Sequence, residues 1–464
     1  MPEFDIAVIG AGSAGLSVAN VSARLGRKIV LIERGRMGGD CLNTGCVPSK
    51  ALLAASHAAS DARAAQRFGV TASVSVDWLR VRAHVRGVIE QLAPADSVAR
   101  YEGFGATVLR DTARFTGPRT LDVGGRKITA ARIVIAAGSR ASVPNIPGLA
   151  ESGFRTHETI FDVDRLPAKL LILGGGSIGI ELAQAFAGLG SQVTIVERHR
   201  IGGRDDPELV GVLRAALTEA GVILVENAHV LRVETGPTIV LADSRRIEGT
   251  DLLVAAGRTP NLESLDCAAA GLTVSARGIA TDRGLNARGN PAVFAVGDIA
   301  DVDGIGPTYL THAASHHAGV FVRRALFRLP AKVDALMPRV TYTDPELAQV
   351  GPTERETPGA EILRWNLQDN DRAVAERRTM GLVKLVVSGG RLIGAGIAAP
   401  NAGEMIPAFT LAIRNRLTPS AVADLIVPYP TRFEAAKRAA GSKLSERLFA
   451  ARTQQLVAWL ARLP

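Results

Sequence analysis

A chain of 464 residues with 47% apolar and 21% charged side chains can build about three domains with sizeable cores. With 54 basic against 45 acidic residues but only 4% aromatics, its surface suits anionic cofactors and lacks the stacking platforms that would point to nucleic acid. No apolar run nears 20 residues and no charged leader opens the chain, so the expectation is a cytoplasmic protein without a membrane partner.

Ile6-Ala7-Val8-Ile9 predicts a short apolar strand, followed by Gly10-Ala11-Gly12-Ser13-Ala14-Gly15 and an apolar helix through Leu25. A second strand, Lys28 to Ile32, ends at Glu33. Strand, glycine turn, helix, strand and acid together make a dinucleotide-binding unit. Gly10, Gly12 and Gly15 let the backbone approach a pyrophosphate at the helix N-terminus, and Glu33 can accept hydrogen bonds from a ribose.

The next stretch, Gly38 to Lys50, holds two of the three cysteines, Cys41 and Cys46. Pro48 suits a first helical turn, so a helix is expected from about Cys46 onward. Five positions along one helix would place the two sulfurs about 140° apart, so Cys41 is expected before the helix, on the turn. Cys46 then sits where the helix dipole favours a thiolate, with Cys41 the more accessible sulfur. A structural disulfide, a metal pair and two buried thiols remain alternatives on spacing alone. Zinc would need two further ligands, and none lies close by before His57, so no metal site is expected.

Residues 57–115 read as helices and short strands, and Pro118 to Lys127 as a polar hairpin tipped by Gly124-Gly125. A separate strand runs from Arg132 to Ala137 and ends at Gly138-Ser139. The dinucleotide device then recurs: Leu170 to Leu173, Gly174-Gly175-Gly176-Ser177-Ile178-Gly179, a helix, Val193 to Val196, and Glu197. In both copies the acid falls 18 positions after the last glycine, Glu33 after Gly15 and Glu197 after Gly179. Two such units imply two dinucleotides. Cys267, alone among alanines, reads as a buried small residue. A helix is expected from Thr308 to Val320, with His312 a candidate site residue and His316 and His317 surface or capping residues.

The run Cys41-Leu42-Asn43-Thr44-Gly45-Cys46-Val47-Pro48-Ser49-Lys50 resembles the redox-active disulfide of the class I FAD-dependent pyridine nucleotide-disulfide oxidoreductases, a family that includes dihydrolipoyl dehydrogenase and mercuric reductase. The resemblance extends along nearly the whole chain. It implies an α/β fold of two Rossmann-like dinucleotide-binding domains, for FAD and NAD(P), plus a C-terminal α+β dimerisation domain. The corresponding boundaries are 1–143 with 265–335 for FAD, 144–264 for NAD(P), and 338–464 for the interface of a homodimer. The first glycine motif is assigned to FAD and the second, with Gly174, Gly176, Gly179 and Glu197, to the nicotinamide cofactor. Gly138 and Gly257 resemble the crossings between those domains, and Asp298 the residue that holds a ribityl hydroxyl.

The same resemblance pairs Lys50 with Glu181 beside the flavin and sends electrons from NAD(P)H through FAD to a Cys41–Cys46 disulfide. Cys46 would form the thiolate, and Cys41 would exchange with a small-molecule or protein-bound disulfide or dithiol. Glu197 favours NAD(H) over NADP(H), although Arg198 and Arg200 follow at once. One position departs from the family pattern. Tyr429 stands where a His is usual, while Glu434 keeps its spacing five residues on. Tyrosine titrates near 10 and is a poor proton shuttle at neutral pH. The reading is a dihydrolipoyl dehydrogenase-like enzyme, with a mercuric reductase-like reductase of a metal ion or other electrophile as the alternative. The cysteine pair that mercuric reductases carry near the C-terminus has no counterpart between Trp459 and Pro464. A third reading, of another class, is a redox-sensing flavoprotein.

Overall fold

Ile6, Ala7 and Val8 have no exposed surface, and apolar residues buried on both faces belong in the middle of a parallel sheet. They form strand β1 (Phe4–Ile9), which pairs in parallel with β2 (Ile29–Ile32) and, on its other side, with Arg126–Ile135. Thr107–Leu109 extends the sheet beyond β2, and Val293–Ala295 extends it beyond Arg126–Ile135. Helix α1 (Ser13–Arg24) makes the crossover that joining two parallel strands requires. The structure, a computed structural model, describes residues 1–463. Pro464, the last residue of the expected interface domain, lies outside the described residues.

The chain divides into two compact units. The first comprises Met1–Gly174, Leu189–Ser191 and Val230–Ala335; the second comprises Gly175–Gly188, Gln192–His229 and the chain from Leu336 on. The expected middle domain, 144–264, contributes to both.

In the first unit the expected hairpin and the strand after it form one continuous element. Arg126–Ile135 pairs antiparallel with Thr120–Val123 over its first half and in parallel with β1 over its second. The turn at Gly124-Gly125 takes φ of +58° and +83°, the left-handed pair that a tight hairpin demands. Two further strand pairs lie in this unit: Lys169–Leu173 with Asp251–Val254 in parallel, and Ser139–Ala141 with Arg258–Pro260 antiparallel. Cys267 is buried, as expected.

The second unit carries a parallel pair, Gln192–Val196 with Ile223–Val225, and a five-stranded antiparallel sheet. Helices Ala402–Arg414 and Phe433–Leu448 cover that sheet, packing Phe409, Ala435 and Ala439 against Val383, Leu385 and Ile397. A buried ion cluster lies in this unit. Lys384, only 4% exposed, places its Nζ 2.9 Å from Asp206, 2.9 Å from Glu208 and 2.7 Å from Glu354. Among the described residues no helix is long and apolar enough to cross a membrane.

Candidate active site

The turn that carries the cysteines is seated by glycine. Gly38 and Gly39 take φ of +88° and +59°, and a Cβ on Gly39 would lie 2.7 Å from the Gly12 Cα. The stretch therefore packs directly on the first glycine motif, at a distance only a bare backbone allows. Cys41 lies in a single helical turn, α2 (Gly39–Asn43), and Cys46 opens α3 (Cys46–Ala64), with the chain broken between them at Gly45. Both cysteines are free thiols, hydrogen-bonded to each other.

That contact divides their chemistry. The Cys41 hydrogen bond, with help from Thr311 and the Lys50 charge, pulls the Cys46 thiol down to about 6 against burial and the charge of Asp40. The same bond and its own burial push Cys41 far up. Cys46 is the thiolate at neutral pH, at the helix N-terminus where one is favoured. The accessibility order is the reverse of the one expected. Cys46 is exposed and Cys41 is half-buried, covered by the hydroxyls of Ser13 and Thr311. Thr311 Oγ1 lies 3.3 Å from the Cys46 sulfur. Lys50 Nζ is 3.4 Å from the Ser49 hydroxyl.

Beside the cysteines lies a charged network that motif reading missed. Asp40 Oδ2 accepts from Arg258 Nη2 at 2.6 Å, and its Oδ1 lies 3.0 Å from His157 Nε2 and 2.6 Å from the Thr44 hydroxyl. Arg258 also donates to the Ser139 hydroxyl at 2.7 Å and to the Ser139 carbonyl at 3.0 Å. Ser139 in turn donates to Asp298 Oδ2 at 2.6 Å. Burial raises the Asp40 carboxyl, but the His157 hydrogen bond and the Arg258 and His157 charges prevail and hold it well below the usual carboxylate range. Burial pushes the Asp298 carboxyl up against Ser139 and Arg258.

The first glycine motif fits a dinucleotide. Gly10 takes φ of +102°, and a Cβ there would stand 2.4 Å from the Ala136 carbonyl oxygen. One on Gly15 would fall 1.9 Å from the Gly10 oxygen. No side chain caps α1 at Gly12, which leaves its first amides for an anion. Glu33 is tied to the same loop, accepting from the Ala11 amide at 2.7 Å and the Gly35 amide at 2.6 Å. Gly138 also takes a positive φ, +66°, where the chain leaves the sheet.

The helix expected from Thr308 starts at Thr311 and runs to Phe321, because Tyr309 adopts φ of +47° and breaks the turn. His312 is exposed on it. His316 accepts the Asp334 amide at 3.0 Å. His317 overturns the surface expectation: it is fully buried, its Nδ1 accepts the Gly297 amide at 3.1 Å, and burial pulls its pKa down to about 4.

The second motif repeats the first. Gly174 takes φ of +116°, and a Cβ on it would meet the Ala255 oxygen at 2.4 Å, while a Cβ on Gly176 would meet nothing within 4 Å. Gly179 lies in the helix Ser177–Leu189, and Gly257 takes φ of +116°. Glu197 accepts from the Gly175 amide at 2.6 Å and the His199 amide at 2.8 Å. Glu181, buried in the second unit, accepts the Tyr342 amide at 3.0 Å. Tyr429 is 70% exposed, and its hydroxyl donates to Asp371 Oδ2 at 2.9 Å. That bond, with the Asp371 and Glu434 charges, pushes the phenol further up. Glu434 stands in the first turn of Phe433–Leu448.

Residues 4–318 match the pyridine nucleotide-disulphide oxidoreductases, and residues 337–440 match the dimerisation domain of the same proteins. The chain belongs to that family. The oxidoreductase is 35% identical to a mercuric reductase of Bacillus cereus, over 94% of this chain and 71% of that protein. It is 33% identical to a mercuric reductase of Streptomyces lividans, over 96% and 97% of the two chains. A dihydrolipoyl dehydrogenase of Thermus scotoductus is 32% identical over 95% and 97%. Among solved structures, the Cu(II) complex of the HOCl-induced flavoprotein disulfide reductase RclA from Escherichia coli superposes with a TM-score of 0.83. It is 26% identical and covers 92% of this chain and 98% of its own. The oxidoreductase is thus an FAD-dependent enzyme of class I that uses a pyridine nucleotide, with a domain for homodimer formation. FAD, when bound, supplies a two-electron carrier between the nicotinamide and the cysteines.

Proposed function

We propose that the enzyme spends NADH to reduce a thiophilic acceptor held by Cys41 and Cys46, with a soft divalent metal ion favoured over a dithiol. The observation that carries this reading is Tyr429, whose hydroxyl is committed to Asp371 as a donor. Dithiol–disulfide exchange needs a base that cycles near neutral pH, and a phenol held above its ordinary value does not. A metal ion bound by two thiolates needs no such base. Two electrons from NADH reduce one Hg(II) to Hg(0), releasing NAD⁺ and a proton. The mercuric reductases among the relatives support this choice.

In this reading Cys46 is the thiolate that faces the flavin and Cys41 the sulfur that receives the acceptor. Lys50 favours the thiolate by its charge. Tyr429 and Glu434 serve the disulfide of the neighbouring subunit. Gly10, Gly12, Gly15, Glu33, Gly138 and Asp298 hold FAD, and Gly174, Gly176, Gly179, Glu197 and Gly257 hold the nicotinamide cofactor. The fixed Glu197 carboxylate would repel a 2′-phosphate, so NADH is preferred to NADPH, and the setting is the reducing cytoplasm. A second reading, disulfide or dithiol turnover, draws support from the dihydrolipoyl dehydrogenase relative. Following NADH loss with Hg(II), Cu(II) and oxidised glutathione, and NAD⁺ reduction by dihydrolipoamide, separates the two. Fast dihydrolipoamide turnover without metal-ion turnover would overturn the first.

A further inference from the structure

The first unit contains a second concave site, away from the cysteines. It is a cavity of about 460 Å³ whose rim carries Arg119, Arg132, Arg324 and Arg328. That size falls within the range of small-molecule pockets, about 300–1,000 Å³. The buried side chains of Phe294 and Ala325 form part of its wall. Arg132 pairs with Ile6 near the start of β1, whereas the dinucleotide loop at Gly10 follows the far end of that strand. Four residues of strand separate the two levels by about 13 Å. The cavity therefore lies toward the opposite edge of the sheet from the cofactor cradle.

Three of its four arginines lack an ion-pair partner among the described residues. Several arginines elsewhere in this unit have carboxylate partners, among them Arg126 with Glu3, Arg140 with Glu263, Arg258 with Asp40 and Arg288 with Asp303. Around the cavity, Arg324 donates to Asn286 at 2.9 Å and has Asp282 at 3.9 Å. The guanidinium groups of Arg119, Arg132 and Arg328 make no hydrogen bond or ion pair among the described residues. Burial and the charges of Arg328 and Arg119 bring Arg132 below its ordinary value, with Asp5 the one opposing charge nearby. Arg328 is held over this cluster at φ of +58°, a conformation a non-glycine residue seldom takes. Three like charges at one cavity repel one another, and an anion seated between them relieves that repulsion.

We propose that this cavity binds a small polyphosphorylated molecule, with Arg119, Arg132 and Arg328 as its charge contacts. Guanidinium groups match phosphate oxygens in bidentate geometry, and three of them converging favour a ligand with several phosphates over a monoanion. The apolar wall gives room for a compact organic part of nucleotide size.

The test uses FAD-loaded enzyme saturated with NAD⁺, so that the nicotinamide site is filled, and inorganic tripolyphosphate as the probe. Calorimetry should show one saturable site per chain. The double variant Arg119→Gln/Arg328→Gln, both at exposed positions, should lose at least about tenfold in affinity, more than 1 kcal/mol. A control of equal charge change, Arg277→Gln/Arg288→Gln, should bind as wild type. Without ligand, Arg328→Gln alone should melt higher than wild type, because a repulsion is removed. Absence of saturable binding, equal losses in the control pair, or a lower melting point for Arg328→Gln would each overturn the proposal.

Discussion

The guanidinium of Arg258 lies 2.6 Å from the carboxylate of Asp40, the residue immediately before Cys41. Two opposite charges thus stand behind the reactive pair, and the Asp40 charge works against the Cys46 thiolate. With Cys46 near 6, the thiolate is present at pH 7 and is lost as pH falls through about 6. The groups facing it are Cys41, Thr311, Lys50 and Asp40, with His157, Arg258 and Asp298 behind Asp40.

Asp40→Asn should therefore lower the pH midpoint of the thiolate–flavin charge-transfer absorption in two-electron-reduced enzyme, by about half a unit to one unit. Arg258→Met strips Asp40 of its guanidinium partner and should raise it. Opposite signs mark an electrostatic effect. If both midpoints move the same way, the pair is only a structural clamp.

Tyr429→His places a group that titrates near neutral pH at the position of the phenol. General acid–base catalysis is typically worth about 10²–10⁴-fold, so dihydrolipoamide oxidation should rise at least about tenfold even with imperfect placement. Stopped-flow reduction of the flavin by NADH should not change. A variant slower than wild type with dihydrolipoamide would mean that Tyr429 already serves as the shuttle.

Gly10→Ala should give protein with little or no FAD, read from the 450 nm absorption of the purified enzyme. The added Cβ would stand 2.4 Å from a carbonyl oxygen, in a backbone conformation L-residues rarely adopt. Full yellow colour would show that the loop can shift to accommodate it.

Lys384→Met tests the buried charge of the second unit. Buried Asp206 would then lose its cation, while the more exposed Glu208 and Glu354 keep Arg364, a loss of about 3 kcal/mol in a urea melt. A change below about 1 kcal/mol would mean that water reaches Asp206.

The parts that could be read from the chain are those in which local chemistry sets local shape. Both glycine turns, the ten-residue cysteine run and the Gly124-Gly125 hairpin need particular residues at fixed spacing, and each folds as that spacing requires. The Asp40 network could not be read this way, since its contacts join positions 117 and 218 residues apart. The early start expected for the helix at Thr308 failed at Tyr309, whose left-handed backbone nothing nearby announces. His317 was legible in retrospect. It falls four residues after Ala313 and four before Phe321, on the buried face of its helix.

Glu33 and Glu197 each hold two loop amides. In the proposed reading of Glu197, coenzyme choice is thereby tied to the order of the loop itself. A lineage drifting from NADH toward NADPH must lose the negative charge and, in the same substitution, find new acceptors for the Gly175 and His199 amides. Single replacements that merely delete the carboxylate leave both donors unmet, so intermediates on that evolutionary path are less folded before they are differently specific. In that reading, selectivity is protected by the architecture of a turn.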